Sequence, residues 1–164
     1  MSEAEKKTDI KEYKIDEKDK NILNILQQNY RISYQKLSEM VGLAASTIHN
    51  RVQNMIESGI IRNFDTVVCP LKVGYKSVAI LGLSVNHGKI RDAAQKLATY
   101  NEIQLVATST GDHDIILQVY AQDEKALWRF IKNKVKTIDG VQPQVHVSSF
   151  LDIIKMSHKI VFED

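Results

Sequence analysis

A single cysteine, Cys69, stands among 164 residues, so no internal disulfide can form and no second cysteine is available to build a zinc knuckle. Its apolar surroundings in VVCPL predict a buried thiol. No run of roughly 18 apolar residues occurs, so a membrane-spanning helix is not expected. The opening MSEAEKKTDIKEYK has no apolar stretch of the kind a secretory signal needs, and a cytoplasmic location is expected. Low-complexity tracts and short-period repeats are missing too. What remains is a chain with 43% apolar residues, enough for a packed core in one domain of ordinary size or two small ones.

Excess charge is also scarce. The formal net charge is +2, too little to announce a nucleic-acid partner, but its distribution is uneven. Residues 1–30 carry six Lys/Arg against seven Asp/Glu, residues 31–62 four against two, and residues 63–164 twelve against eleven. The positive excess sits on 31–62. It is small enough that one copy would hold DNA weakly through phosphates, and several copies acting together would be needed.

That segment, ISYQKLSEMVGLAASTIHNRVQNMIESGIIR, holds two short amphipathic patterns joined at Gly42. Ser33 suits a helix N-cap, with Ile32 and Leu37 placed to form a hydrophobic staple. Leu37, Met40 and Val41 share one face. Gly42 supplies the positive φ of a sharp helix end, and Leu43 anchors the turn. A second helix is expected from about Ser46 to the Gly59 stop, with Ile48, Val52, Met55 and Ile56 inward. Its outer face carries Thr47, Asn50, Arg51 and Asn54, flanked by Ser46, His49 and Gln53, and its one acid is Glu57 at the far end. A polar outer face is by default merely solvated. The glycine turn, the two apolar stripes and the scarcity of acids instead point to a helix-turn-helix. Arg pairs with guanine, Asn and Gln with adenine, and Ser and Thr with bases or backbone oxygens. The expectation is that Thr47, His49, Asn50, Arg51 and Asn54 face the major groove of double-stranded DNA, while Ser33, Gln35 and Ser46 hold phosphates near helix N-termini.

Along the rest of the chain, residues 1–14 read as a loose tail. Asp16, with Asp19 three residues on, caps a first helix whose buried face is Ile22, Leu23, Ile25 and Leu26. Ile60 and Ile61 are expected to close this three-helix, winged-helix-like domain over 15–62. FDTVVCPL is β-branched and ends at Pro70, so 63–74 reads as a linker strand. Beyond it, from residue 75 to 164, strands and helices alternate. SVAILGLSV is a strand, NHGKIRDAAQKLATY a turn and helix, and IQLVATS and HDIILQVYA a hairpin around Thr110–Asp112. Asp123 caps a helix burying Leu127, Phe130, Ile131 and Val135, and VQPQVHVSSFLDII closes the order as βαββαβ, a ferredoxin-like domain in an α+β chain.

From about Ile15 onward the chain resembles the Lrp/AsnC, or feast/famine, transcriptional regulators. The resemblance rests on IDEKDKNILNILQQNYRISYQKLSEMVGLAASTIHNRVQNMIESGIIR in the first half, and on TGDHDIILQV and IDGVQPQVHVSSFLDIIK in the second, which is similar to their regulator-of-amino-acid-metabolism (RAM) domain. It implies dimers formed through the βαββαβ domain and the strand before it, assembly into tetramers, octamers or larger rings, and binding to repeated DNA sites. It also implies control by a small effector, usually an amino acid, with no other cofactor. The family's effector loop corresponds here to Thr110, Gly111, Asp112, His113 and Asp114, where Gly111 permits close backbone approach and the amides and carboxylates suit the two ends of an amino acid. The same residues would also serve as a hairpin turn with capping aspartates. Many relatives carry a Thr-x-Thr pair in the last strand. Here, allowing one inserted residue near Pro143, those positions are Val145 and Val147, a departure from the pattern.

Two other functions fit the architecture. Siroheme decarboxylases resemble this family, and His87, His113, His146 and His158 are acid, base or ligand candidates. None has metal-ligand spacing to Cys or another His, however, and no positioned proton-transfer partner can be named. A sensor module without DNA contact is the other, and the intact helix-turn-helix argues against it.

Overall fold

The computed structural model describes residues 13–64 and 67–162. The chain folds into two units, one formed by Met1–Thr66 with Ser157–Asp164 and the other by Val67–Met156. The first crossing between them falls between Thr66 and Val67. The second crossing, which returns the C-terminal residues to the first unit, was not foreseen. Most of the expected 1–14 tail lies outside the described residues, but Tyr13 is anchored, packing against the first unit's core.

In the first unit α1 spans Glu17–Gln28, α2 Tyr34–Val41 and α3 Ala45–Glu57. Asp16 and Asp19 form a reciprocal capping box on α1, which satisfies two N–H groups that would otherwise lack partners. Ser33 caps α2 by accepting from the Lys36 amide. Gly42 ends α2 at φ 70°, a left-handed conformation that costs a residue with a Cβ about 1–2 kcal/mol. Ile22, Leu37, Ile48, Val52 and Met55 are fully buried between the helices, with Ile61 at the rim. Each such side chain contributes about 1.5–3 kcal/mol of transfer free energy. Three expected core residues lie further out. Met40 is 59% exposed, and Ile56 and Ile60 are partly exposed, because three short helices can cover only the centre of each apolar stripe.

The C-terminal strap completes this unit. The side chain of Gln27 donates to the Ile160 carbonyl at 3.1 Å and accepts from the Ile160 amide at 2.7 Å, and Phe162 packs against the helical core.

In the second unit β1 is Ser77–Val85, α4 Ile90–Leu97, β2 Ile103–Thr108, β3 Ile115–Ala121, α5 Glu124–Asn133 and β4 Val141–Ser149. The four strands lie in the order β2-β3-β1-β4, and every neighbouring pair is antiparallel. The split βαβ expectation is met. Ala79, Leu81 and Leu83 of β1, Ile115, Leu117 and Val119 of β3, and Leu97, Leu127, Ile131 and Val135 form its core. Pro143 lies in the edge strand β4, where the register against β1 shifts between Leu83 and Val85, a position that tolerates a residue lacking an N–H.

The linker strand is a correction. Asp65 and Thr66 lie outside the described residues, Val67–Cys69 belong to no strand, and Pro70–Val73 form a 3-10 turn. Cys69 is exposed rather than buried. A β-branched run stays extended only where another strand accepts its backbone groups, and among the described residues no strand pairs with it.

Candidate functional site

Helix α3 presents Ser46, Thr47, His49, Asn50 and Asn54 to solvent. Thr47, Asn50 and Asn54 follow one another at i, i+3 and i+7, which lines them up along one face. The Gln53 amide donates to Glu57 at 3.0 Å, so the acid at the end of the helix is partly occupied. His49 meets the Tyr34 ring of α2 edge-on, with centroids 5.4 Å apart. Ser33 and Gln35, at the start of α2, are both exposed. The Ser33 oxygen accepts from the Lys36 amide at 3.2 Å, which leaves its O–H able to donate to a phosphate.

Arg51 departs from expectation. It does not stand free on the outer face: its Nη1 lies 2.8 Å from Asp16 Oδ2 and 2.9 Å from Asp19 Oδ1. Asp19 is 1% exposed. Its other oxygen accepts from the Tyr13 hydroxyl and from the Asp16 amide, both at 3.1 Å. These contacts change the proton affinity of Arg51, Asp16 and Tyr13. The hydrogen bonds to Asp19 and then Asp16 hold the guanidinium further above its ordinary value. The Asp19 amide, then Arg51, hold the Asp16 carboxyl below the usual range. Burial, then the bond to Asp19, push the Tyr13 phenol up. The spacing could have revealed this cluster. Arg51 follows buried Ile48 by three residues and precedes buried Met55 by four, and Asp19 precedes buried Ile22 by three and buried Leu23 by four on α1.

In the second unit Thr110, Gly111 and Asp112 form an exposed bend between β2 and β3, and the Gly111 amide donates to Ser109 Oγ at 3.2 Å. The Asp114 carboxylate is turned back into the sheet, accepting from the Val85 amide at 2.7 Å, while its own amide donates to the Leu83 carbonyl at 2.9 Å. Asp114 therefore joins the loop to β1. His113 lies against Gly82 and its ring is 4.7 Å from that of His146. Its Nδ1 is buried without a partner.

Val145 and Val147 lie on the other face of the sheet from the His113 ring. Both pack against the core shared with the helices, paired with Leu83 and Leu81. His146, between them on the opposite face, is the β4 residue that meets His113. Alternation along the strand separates the two sets. His87 precedes α4 in a short 3-10 turn, His158 belongs to the other unit, and among the described residues no group of three His, Cys, Asp or Glu could hold a metal ion. No helix among the described residues is long and apolar enough to cross a membrane.

Comparison with known proteins gives this geometry a setting. Residues 15–62 match the family described as winged helix-turn-helix DNA-binding, and residues 78–160 match the Lrp/AsnC ligand binding domain. The chain is 36% identical over 148 residues to an HTH-type transcriptional regulator of Pyrococcus furiosus, covering 90% of this chain and 99% of the relative. It is 37% identical to the regulator FL11 of the same organism, covering 78% and 84%. Among solved structures, Escherichia coli AsnC superposes with a TM-score of 0.82 at 30% identity, covering 90% of this chain and 99% of AsnC. A Neisseria meningitidis transcriptional regulator solved as an L-Met complex gives 0.79 at 28%, covering 90% and 97%. With both halves matched in order, the chain belongs to the Lrp/AsnC family of DNA-binding, helix-turn-helix transcriptional regulators, and its second unit is that family's ligand-binding domain.

Proposed function

We propose that α3 reads the major groove through Thr47, His49, Asn50 and Asn54, with Ser33, Gln35 and Ser46 on flanking phosphates. The exposed row Thr47, Asn50, Asn54 carries this reading: three uncharged hydrogen-bonding side chains on one line, with no acid before Glu57. Asn side chains suit adenine, and a threonine hydroxyl suits either a base or the backbone. Asn50→Ala should cost about 1–3 kcal/mol at a contacted adenine. An electrophoretic titration on the gene's own upstream DNA, at fixed salt with base-pair substitutions, tests it. Unchanged discrimination at every position would remove α3 from that role.

The second unit takes a small effector, an amino acid, at the loop Thr110–Asp114, and the effector shifts assembly or DNA affinity of a homodimer that associates further into tetramers, octamers or larger forms in the cytoplasm. No catalysis and no other cofactor are part of this function. The likeness to the Neisseria protein solved with L-Met supports an amino-acid ligand. Thermal-shift screening of the twenty amino acids, followed by sedimentation with any hit, tests both parts. A binder raises the melting temperature by mass action, and a change of sedimentation would link ligand to assembly. If none of the twenty shifts the melt at millimolar concentration, the effector is of another class.

A further inference from the structure

We infer that Arg51 is a positioning residue: together with Asp16 and Asp19 it fixes how α3 is seated on α1, and it does not itself contact DNA. This rests on the reading of α3 as the recognition helix. The observation behind it is a buried acid that Arg51 cannot leave. Asp19 is 1% exposed, and apart from Arg51 its side chain is met by two neutral donors, the Tyr13 hydroxyl and the Asp16 amide. A guanidinium swung out to a phosphate or a guanine would strand that carboxylate in a low-dielectric core. Stranding a buried ion costs more than a surface contact returns.

The placement on α3 agrees. Arg51 stands on the line of Ile48 and Met55, both fully buried, and its side chain is 27% exposed. One nitrogen, Nη1, spans both aspartates at 2.8 and 2.9 Å. A bridge from the first turn of α1 to the middle of α3 resists rotation of α3 about its own axis, which apolar packing alone restrains weakly because it has no direction. Rotation matters here. Successive residues are about 100° apart around a helix, so a modest turn carries Asn50 off the groove. The cluster thus sets which side chains face the DNA, and the face it presents has Thr47, Asn50 and Asn54 as its readers and no free cation among them.

The test uses the full-length protein, its own upstream duplex, a scrambled duplex of equal composition and a salt series. The variants are Arg51→Met, which keeps the apolar stem, Asp19→Asn, and Asp16→Ser, which keeps the helix cap while removing the half-exposed carboxylate. Asn50→Ala controls for α3 being the reading helix. The expected result is that Asp19→Asn and Arg51→Met each lower affinity for the upstream duplex by about tenfold and that the double variant is no worse than either, the signature of one shared contact. Asp16→Ser shows the same change at smaller size. The dependence of log K on log salt should keep its slope in all of them.

If Arg51 neutralised a phosphate, Arg51→Met would reduce that slope by about 1, and Asp19→Asn, by freeing the guanidinium, would bind as tightly as wild type or more tightly. Either outcome overturns the proposal, as does a loss confined to one base-pair identity. Should Asp19→Asn or Arg51→Met fail to fold by circular dichroism, Asp16→Ser decides: wild-type affinity in that folded variant overturns the proposal. If Asn50→Ala binds like wild type while Arg51→Met and Asp19→Asn do not, the reading of α3 fails and the bridge stands.

Discussion

The imidazole of His113 fills the space that a side chain at Gly82 would need: a Cβ built on Gly82 would overlap the ring. The glycine therefore admits the histidine to the sheet face, where it meets His146. Replacing Gly82 by Ala should force the ring aside and destabilise the second unit by about 1–3 kcal/mol, the usual cost of overpacking. Gly82→Ala combined with His113→Ala should recover most of that loss, since the clash then has no second party. Urea unfolding of the two single variants and the double variant checks it, and additive losses would mean that the ring is not what the glycine accommodates.

Asp114 gives a second prediction. Its carboxylate accepts from the Val85 amide at 2.7 Å, beside a residue 4% exposed. Asp114→Ala leaves that amide unpaired, which costs about 1–3 kcal/mol, and Val85 should then exchange its amide hydrogen faster. Exchange at Val85 unchanged from wild type would show that the amide has another acceptor. Asp114→Asn keeps an acceptor oxygen and should lose less.

These two residues also show where the sequence was legible. Alternation of period two placed β1 at Ser77–Val85 to the residue, and the 3.6-residue stripe placed Leu127, Phe130 and Ile131 on the buried side of α5. Such patterns are local and repeat several times within one element. The inward turn of Asp114 and the contact of His113 with Gly82 depend on strands brought together from distant parts of the chain, and nothing in TGDHD announces them. The same holds for Val145 and Val147. Their strand was expected, but their facing follows from the register of β4 on β1, which shifts near Pro143. FDTVVCPL failed for the complementary reason, since β-propensity describes a fit to a neighbouring strand. Arg51 was legible and misread: its spacing from Ile48 and Met55 outweighs the general habit of arginine to face water.

Tyr13 predicts a pH dependence. Burial and the bond to Asp19 raise its phenol above the ordinary value, so the folded state favours the protonated form. That contribution is fully present below the unfolded value near 10 and is lost as pH rises through the higher folded value. Tyr13→Phe removes the donor to Asp19 and should be less stable than wild type at pH 7. The gap should narrow as pH rises from about 10, where the wild-type phenol begins to ionise. Urea midpoints for both proteins across that range measure the difference directly and cancel the titration of the lysines they share. A gap that stays constant to pH 11.5 would contradict the bond.

Gln27 provides a prediction for the C-terminal strap. One side-chain amide satisfies both backbone groups of Ile160, donating at 3.1 Å and accepting at 2.7 Å, as a neighbouring strand would. A glutamate has the same shape but no N–H to give. Gln27→Glu therefore keeps a partner for the Ile160 amide and places a carboxylate against the Ile160 carbonyl, whereas Gln27→Ala removes both bonds. Amide exchange at Ile160 should be slowed in wild type relative to a free peptide, faster in Gln27→Glu and fastest in Gln27→Ala. The bonds are exposed, so global stability should fall by only about 0.5–1.5 kcal/mol. Phe162→Ala should cost more than either, because the ring packs against the helical core and its loss removes apolar burial as well. If Ile160 exchanges at the free-peptide rate in wild type, the strap is not docked on α1 in solution. Release by Phe162→Ala alone, with both Gln27 variants like wild type, would show that the ring holds it and the amide only follows.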